Sequence, residues 1–115
     1  MKSPITTHVL DTTRGTPAQG VTVSLEFQPS ANKWEKIGSG TTNSDGRISD
    51  LLPDSHILQP GIYRITFETG KYFLSNKVAS FYPYVQIVFK ISDTTNHYHV
   101  PLLLNPYGYS TYRGS

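Results

Sequence analysis

Four side chains in this sequence are suited by type and spacing to proton transfer or ligand capture. They are His8 in "THVLD", Arg47 in "TNSDGR", and His97 and His99 in "NHYHV". Imidazole titrates nearest neutral pH, so a pair of histidines on facing strands would activate a water. An arginine beside them, Arg47 or Arg113, would stabilise charge developing on a carbonyl oxygen. A second chemistry competes. Two histidines at i and i+2 on a strand can chelate one zinc ion, with His8 as a third ligand. No acidic residue sits close in sequence to support that metal, and the plain reading of His97 is a half-exposed strand residue. The plain reading of Arg47 is a solvated cation after an Asp-Gly turn. His56, in "PDSHIL", follows a turn without an obvious partner and reads as structural or surface.

These groups need elements to hold them. Gly, Pro, Asn and Asp recur at short intervals: "TTRGTPAQG", "QPSANK", "TNSDG", "LPDS", "QPG", "NPYG". Between them lie runs rich in Val, Ile, Thr, Tyr and Phe. The pattern predicts an all-β fold, a two-sheet, eight-stranded β-sandwich with one short helix. Strands are expected at 4–11, 21–28, 34–42, 47–50, 60–68, 83–92, 96–104 and 107–113, and a helix at 70–77. With no linker and no repeat, residues 1–115 form one domain.

Alternation assigns faces. Thr6, His8 and Leu10 lie opposite Ile5, Thr7 and Val9. His99, Pro101 and Leu103 lie opposite Tyr98, Val100 and Leu102, and Ser110 lies with Tyr112. If Val9, Val100 and Leu102 fill the core, His8 and His99 point outward among leucines. Such a face suits contact with another subunit better than bare solvent. Pro101 cannot donate a ladder bond, so it marks an edge strand or a bulge. The lone Trp34 reads as packing, and "FYPYVQIVF" as a buried or interface strand.

Several function classes drop out. A net charge of +2 with no basic run argues against nucleic acid as a partner. Without cysteine there is no thiolate nucleophile or disulfide, and there is no G-x-S-x-G for a serine hydrolase. No apolar stretch reaches the ~20 residues of a membrane helix. The start, "MKSPITTHVLD", has no apolar signal region, and the ending is not of the Ser-Lys-Leu type. The expectation is therefore a cytoplasmic protein with no membrane partner; a presequence removed from the chain would make it periplasmic or peroxisomal.

The words of the sequence go further than its composition. "THVLD", "TNSDGR", "GIYRITFETGKYF", "FYPYVQIVF" and "HYHVPLLLNPYGYSTYRGS", in this order, resemble the transthyretin-like family along essentially the whole chain. That family has a hormone-carrier branch and an enzyme branch that hydrolyses 5-hydroxyisourate in urate degradation. The carriers have Lys, Glu and Thr where this chain has His8, Arg47 and His99, and they lack the Tyr-Arg-Gly-Ser ending. Here every one of these positions takes the enzyme's form. Asn105, where many members have Ser, is a departure away from the site.

The resemblance implies a prealbumin-like sandwich and a homotetramer with a central channel. It implies a small purine-derived substrate and no metal or other cofactor. His8, Arg47 and His99 would be catalytic. Tyr112, Arg113, Gly114 and Ser115 would close the substrate pocket, with Gly114 letting the backbone turn without a Cβ penalty. Leu10, Leu103 and Ser110 would line the channel, and Phe81 with the strand after it would help to pair subunits. The competing function is a transthyretin-like channel that carries a small apolar hormone without chemistry.

Overall fold

In the computed structural model, residues 3–53 and 55–114 are described, and they build two sheets packed face to face with one helix. The strands are β1 (Ile5–Asp11), β2 (Thr16–Pro17), β3 (Thr22–Ser30), β4 (Lys33–Thr41), β5 (Arg47–Ile48), β6 (Gly61–Phe67), β7 (Val85–Ile91), β8 (Tyr98–Asn105) and β9 (Gly108–Thr111). Eight correspond to the expected runs. The ninth, β2, is a two-residue strand that pairs Thr16 and Pro17 with Asp11 and Leu10. It is too short for sequence alternation to reveal.

One sheet has the order β2-β1-β8-β9, with β5 also on β1; the other runs β4-β3-β6-β7. β1 and β8 lie parallel, and this pairing joins the two ends of the chain: Thr6 faces His99, His8 faces Pro101, and Leu10 faces Leu103. Between the sheets lie Ile5, Val9, Val23, Leu25, Tyr63, Ile65, Phe67, Ile91 and Leu102, all essentially without exposure. Truncating such a leucine or isoleucine to alanine costs about 2–5 kcal/mol. The outward half of β1 and β8 is therefore held on a stiff base.

Helix α1 (Thr69–Ser75) follows β6 directly, within a residue or two of the expected stretch. Thr69, Tyr72 and Phe73 form its buried face, the i, i+3, i+4 pattern of an amphipathic turn. The Tyr72 hydroxyl donates to Asp11 Oδ2 at 2.8 Å and so ties the helix to the end of β1. Gly70 is required for space: a Cβ there would come within 2.5 Å of the Pro83 carbonyl oxygen.

Pro101 is not at an edge. It lies in β8, between β1 and β9, in an uninterrupted register. The missing N–H is tolerated because the β9 ladder stops at Thr111 and resumes only at the His99–Gly114 bridge. Opposite Pro101 the ladder is open, and the Thr111 hydroxyl donates to its carbonyl at 2.7 Å instead.

Candidate active site

The site is assembled on the outer face of the five-stranded sheet. His8 is delivered by β1 and His99 by β8, and both are half-buried. Because Thr6 is the register partner of His99, His8 lies diagonally across from His99 on the same face. Leu10, Leu103 and Ser110 form the next row along that face, through the Leu10–Leu103 and Leu103–Ser110 pairs.

Arg47 reaches the same place by way of a turn. The Asn43 side-chain carbonyl accepts from the Asp45 and Arg47 amides at 2.9 and 3.1 Å, and the Gly46 amide donates to the Asn43 carbonyl at 2.9 Å. Gly46 has φ +72°, and a Cβ there would also strike the Val9 carbonyl oxygen. An Asn-x-x-Gly turn meets both demands. Its product is the pairing of Arg47 with His8 across β5 and β1.

Electrostatics follow from this packing. Burial is the main force pushing His99 below the usual imidazole value of 6.5, helped by Arg47, His8 and His97. Burial, then Arg47, does the same to His8, against a smaller opposing pull from Asp45. Both imidazoles are thus biased toward the neutral form, the one that accepts a proton from water. Activity that depends on those neutral rings rises with pH through the folded pKa values. Its acid limb is therefore expected below 6.5. Replacing Arg47 by Gln removes one of the depressing charges, so the residual activity should show its acid limb at higher pH. A kcat/KM–pH profile of both proteins measures this, and an unmoved limb would mean that Arg47 does not act on the two rings.

One participant escaped the sequence reading. The Thr6 hydroxyl lies between two imidazoles, 2.8 Å from His99 Nδ1 and 2.9 Å from His97 Nε2. His97 itself is exposed and precedes β8. One ring nitrogen of each histidine of the H-x-H pair is turned to this hydroxyl. Among the described residues, no group of three or more His, Cys, Asp or Glu is placed to hold a metal ion.

The tail divides. The Gly114 amide donates to the His99 carbonyl at 2.8 Å, and a Cβ on Gly114 would fall 2.6 Å from His99 Cδ2. Gly114 is thus demanded by close approach to the imidazole; it is not among the glycines with positive φ, so the turn expected there is not its reason. Tyr112 is exposed. The Arg113 guanidinium lies 4.7 Å from the centre of the Tyr98 ring, which belongs to the inner face of β8. Arg113 lines a cavity of about 250 Å³ together with His99, Tyr112, Ile87, Phe89 and Lys90. Arg113 and Tyr112 thus share a cavity with His99, while Arg47 is the arginine paired with His8. Ser115 lies outside the described residues. His56 lines a separate cavity with Phe27, Glu35 and Tyr63.

Residues 5–114 match the HIUase/Transthyretin family. A 5-hydroxyisourate hydrolase of Salmonella dublin is 50% identical over 111 residues, 96% of this chain and 80% of that protein. The 5-hydroxyisourate hydrolase of Klebsiella pneumoniae superposes with a TM-score of 0.83 at 40% identity, covering 96% of this chain and 98% of its own. Sea bream transthyretin, solved with thyroxine, superposes with a TM-score of 0.90 at 28% identity, covering 97% and 95%. With its two sheets, its helix and its sequence all in agreement, this chain belongs to the HIUase/transthyretin family.

Proposed function

We propose that this protein is a hydrolase of 5-hydroxyisourate, opening the six-membered ring at an amide bond to give 2-oxo-4-hydroxy-4-carboxy-5-ureidoimidazoline. The supporting observation is the meeting of His8, Arg47 and His99 on one face with both imidazoles biased toward the neutral form. The superposition alone cannot separate enzyme from carrier, since a thyroxine-bound transthyretin shares the fold. The side chains separate them. A carrier of an apolar hormone gains nothing from two proton acceptors and a guanidinium at one spot.

In the reaction, one imidazole takes a proton from water as that water attacks the ring carbonyl. Arg47 supplies fixed positive charge and planar donors to the oxyanion and anchors substrate oxygens. The second imidazole, or the first once protonated, returns a proton to the departing ring nitrogen. Gly114 closes against the His99 ring, where a larger residue would press on it. No step requires a cofactor. Freshly generated 5-hydroxyisourate, followed by its ultraviolet absorbance, should disappear faster in proportion to added protein. Decay at the spontaneous rate would refute the proposal.

The active form in this reading is a homotetramer, a dimer of dimers. The half-buried Leu10 and Leu103 support it, as do the open sheet edges β7 and β9. Around those edges Phe81 is 70% exposed, and Tyr82 packs edge-on to both Phe81 and Tyr109. An aromatic patch of this kind is an interface waiting for a partner. Light scattering of the dilute protein should give four times the chain mass; an active monodisperse monomer would contradict the assignment.

A further inference from the structure

The geometry points to a proton relay from His99 through Thr6 to His97 and solvent, an inference that rests on His99 acting as a base in the proposed reaction. A threonine hydroxyl carries one proton. It can donate to one imidazole nitrogen only and must accept from the other. With Thr6 Oγ1 2.8 Å from His99 Nδ1 and 2.9 Å from His97 Nε2, the two rings are locked into complementary tautomers. When His99 carries its proton on Nδ1, that N–H donates to Thr6, Thr6 donates to His97 Nε2, and His99 Nε2 is left bare to accept a proton.

The same chain can move charge. His99 Nε2 takes a proton from the attacking water. The Nδ1 proton passes to Thr6 Oγ1, the hydroxyl proton passes to His97 Nε2, and His97 releases its own Nδ1 proton to solvent. One proton has entered and one has left. His99 is now neutral with its proton on Nε2, and it can donate that proton to a leaving nitrogen as Nδ1 is reprotonated through Thr6. As that proton departs, His97 takes one from solvent and the shifts reverse, which restores the base. One histidine thereby serves both halves of the hydrolysis.

Two further observations fit. His97 is exposed, while Thr6 is 8% exposed, so the chain runs from a shielded ring to an open one. A cavity of about 110 Å³ bounded by Thr6, Arg47, Ser49 and His97 gives small molecules access to its outer end. The other charged and titratable groups acting on His99 are His8 on β1 and Arg47 on β5; from the tail, Gly114 packs against its ring, and Tyr112 and Arg113 line a cavity with it.

His97→Gln keeps a group that can hydrogen-bond to Thr6 but cannot carry the proton. In dilute buffer its kcat should fall about tenfold with KM unchanged, less than the loss of the acid–base group itself. Added imidazole should restore that kcat in a concentration-dependent way, whereas native enzyme stays flat. Thr6→Val should lose kcat without imidazole rescue, and Thr6→Ser should recover most of it. A His97→Gln protein with native kcat, or with a reduced kcat indifferent to imidazole, would overturn the relay. The underlying reading is checked separately by His99→Gln. An inactive His99→Gln beside a native-like His97→Gln removes the relay alone; a fully active His99→Gln removes both.

Discussion

His99→Ala should lose at least about 10²-fold in kcat, the scale typical of removing a general acid–base group, while its thermal unfolding barely shifts. His8→Ala and Arg47→Ala should fall on the same scale, Arg47 through the oxyanion. The expectation of retained stability has a structural basis. His8 and His99 point away from the intersheet core, and Arg47 is an exposed residue of a two-residue strand. His56→Ala serves as the control, because its side chain lies in a different cavity. Steady-state kinetics with a melting curve for each variant checks the set. Full activity in His99→Ala would end the assignment of that residue.

The second large effect concerns the tail. Removing Tyr112 to Ser115 deletes the Gly114–His99 backbone bond and the surface against which the imidazole packs. It also deletes Arg113, whose guanidinium rests on Tyr98 while the Tyr98 hydroxyl donates to the Asp93 carbonyl at 2.6 Å. Arg113 rests on Tyr98 and lines a cavity with His99, and Gly114 packs directly against the His99 ring. Truncation should remove most activity and leave the assembly intact. Gly114→Ala is the finer probe. Its methyl would displace the His99 ring, so kcat should fall by roughly tenfold or more from misplacement of the acid–base group. Comparison of kcat, together with the mass of each assembly in solution, decides the matter. Native activity in the truncated protein would show that the tail is idle.

How much of this was readable from residues alone depends on the range over which each feature is determined. Alternation in "ITTHVLD" and "HYHVPLLL" is local, so the faces of His8, Leu10, His99 and Leu103 followed from period two. The punctuation around "TNSDGR" is local too, and it located the turn that carries Arg47. Register is not local. That β1 runs parallel to β8 with Thr6 opposite His99 depends on joining segments more than ninety residues apart, as the Thr6–His99 separation of 93 shows. Thr6 had been placed on the face of His8, yet nothing in the sequence marked it as the neighbour of two histidines. Pro101 failed for the same reason, since the gap that excuses its missing N–H exists only across from β9. Arg113 was assigned by its place in a motif; its contact with Tyr98 is tertiary packing that spacing does not encode.

Hydrolysis in ¹⁸O-labelled water tests the central claim most directly. Water attack on the ring carbonyl places one labelled oxygen in the new carboxylate of the product. Mass spectrometry of freshly generated 5-hydroxyisourate quenched at short times should show singly labelled ring-opened product at a rate proportional to native protein. With His99→Ala the rate should collapse toward the protein-free value. Labelled product forming no faster with native protein than without it would contradict the account.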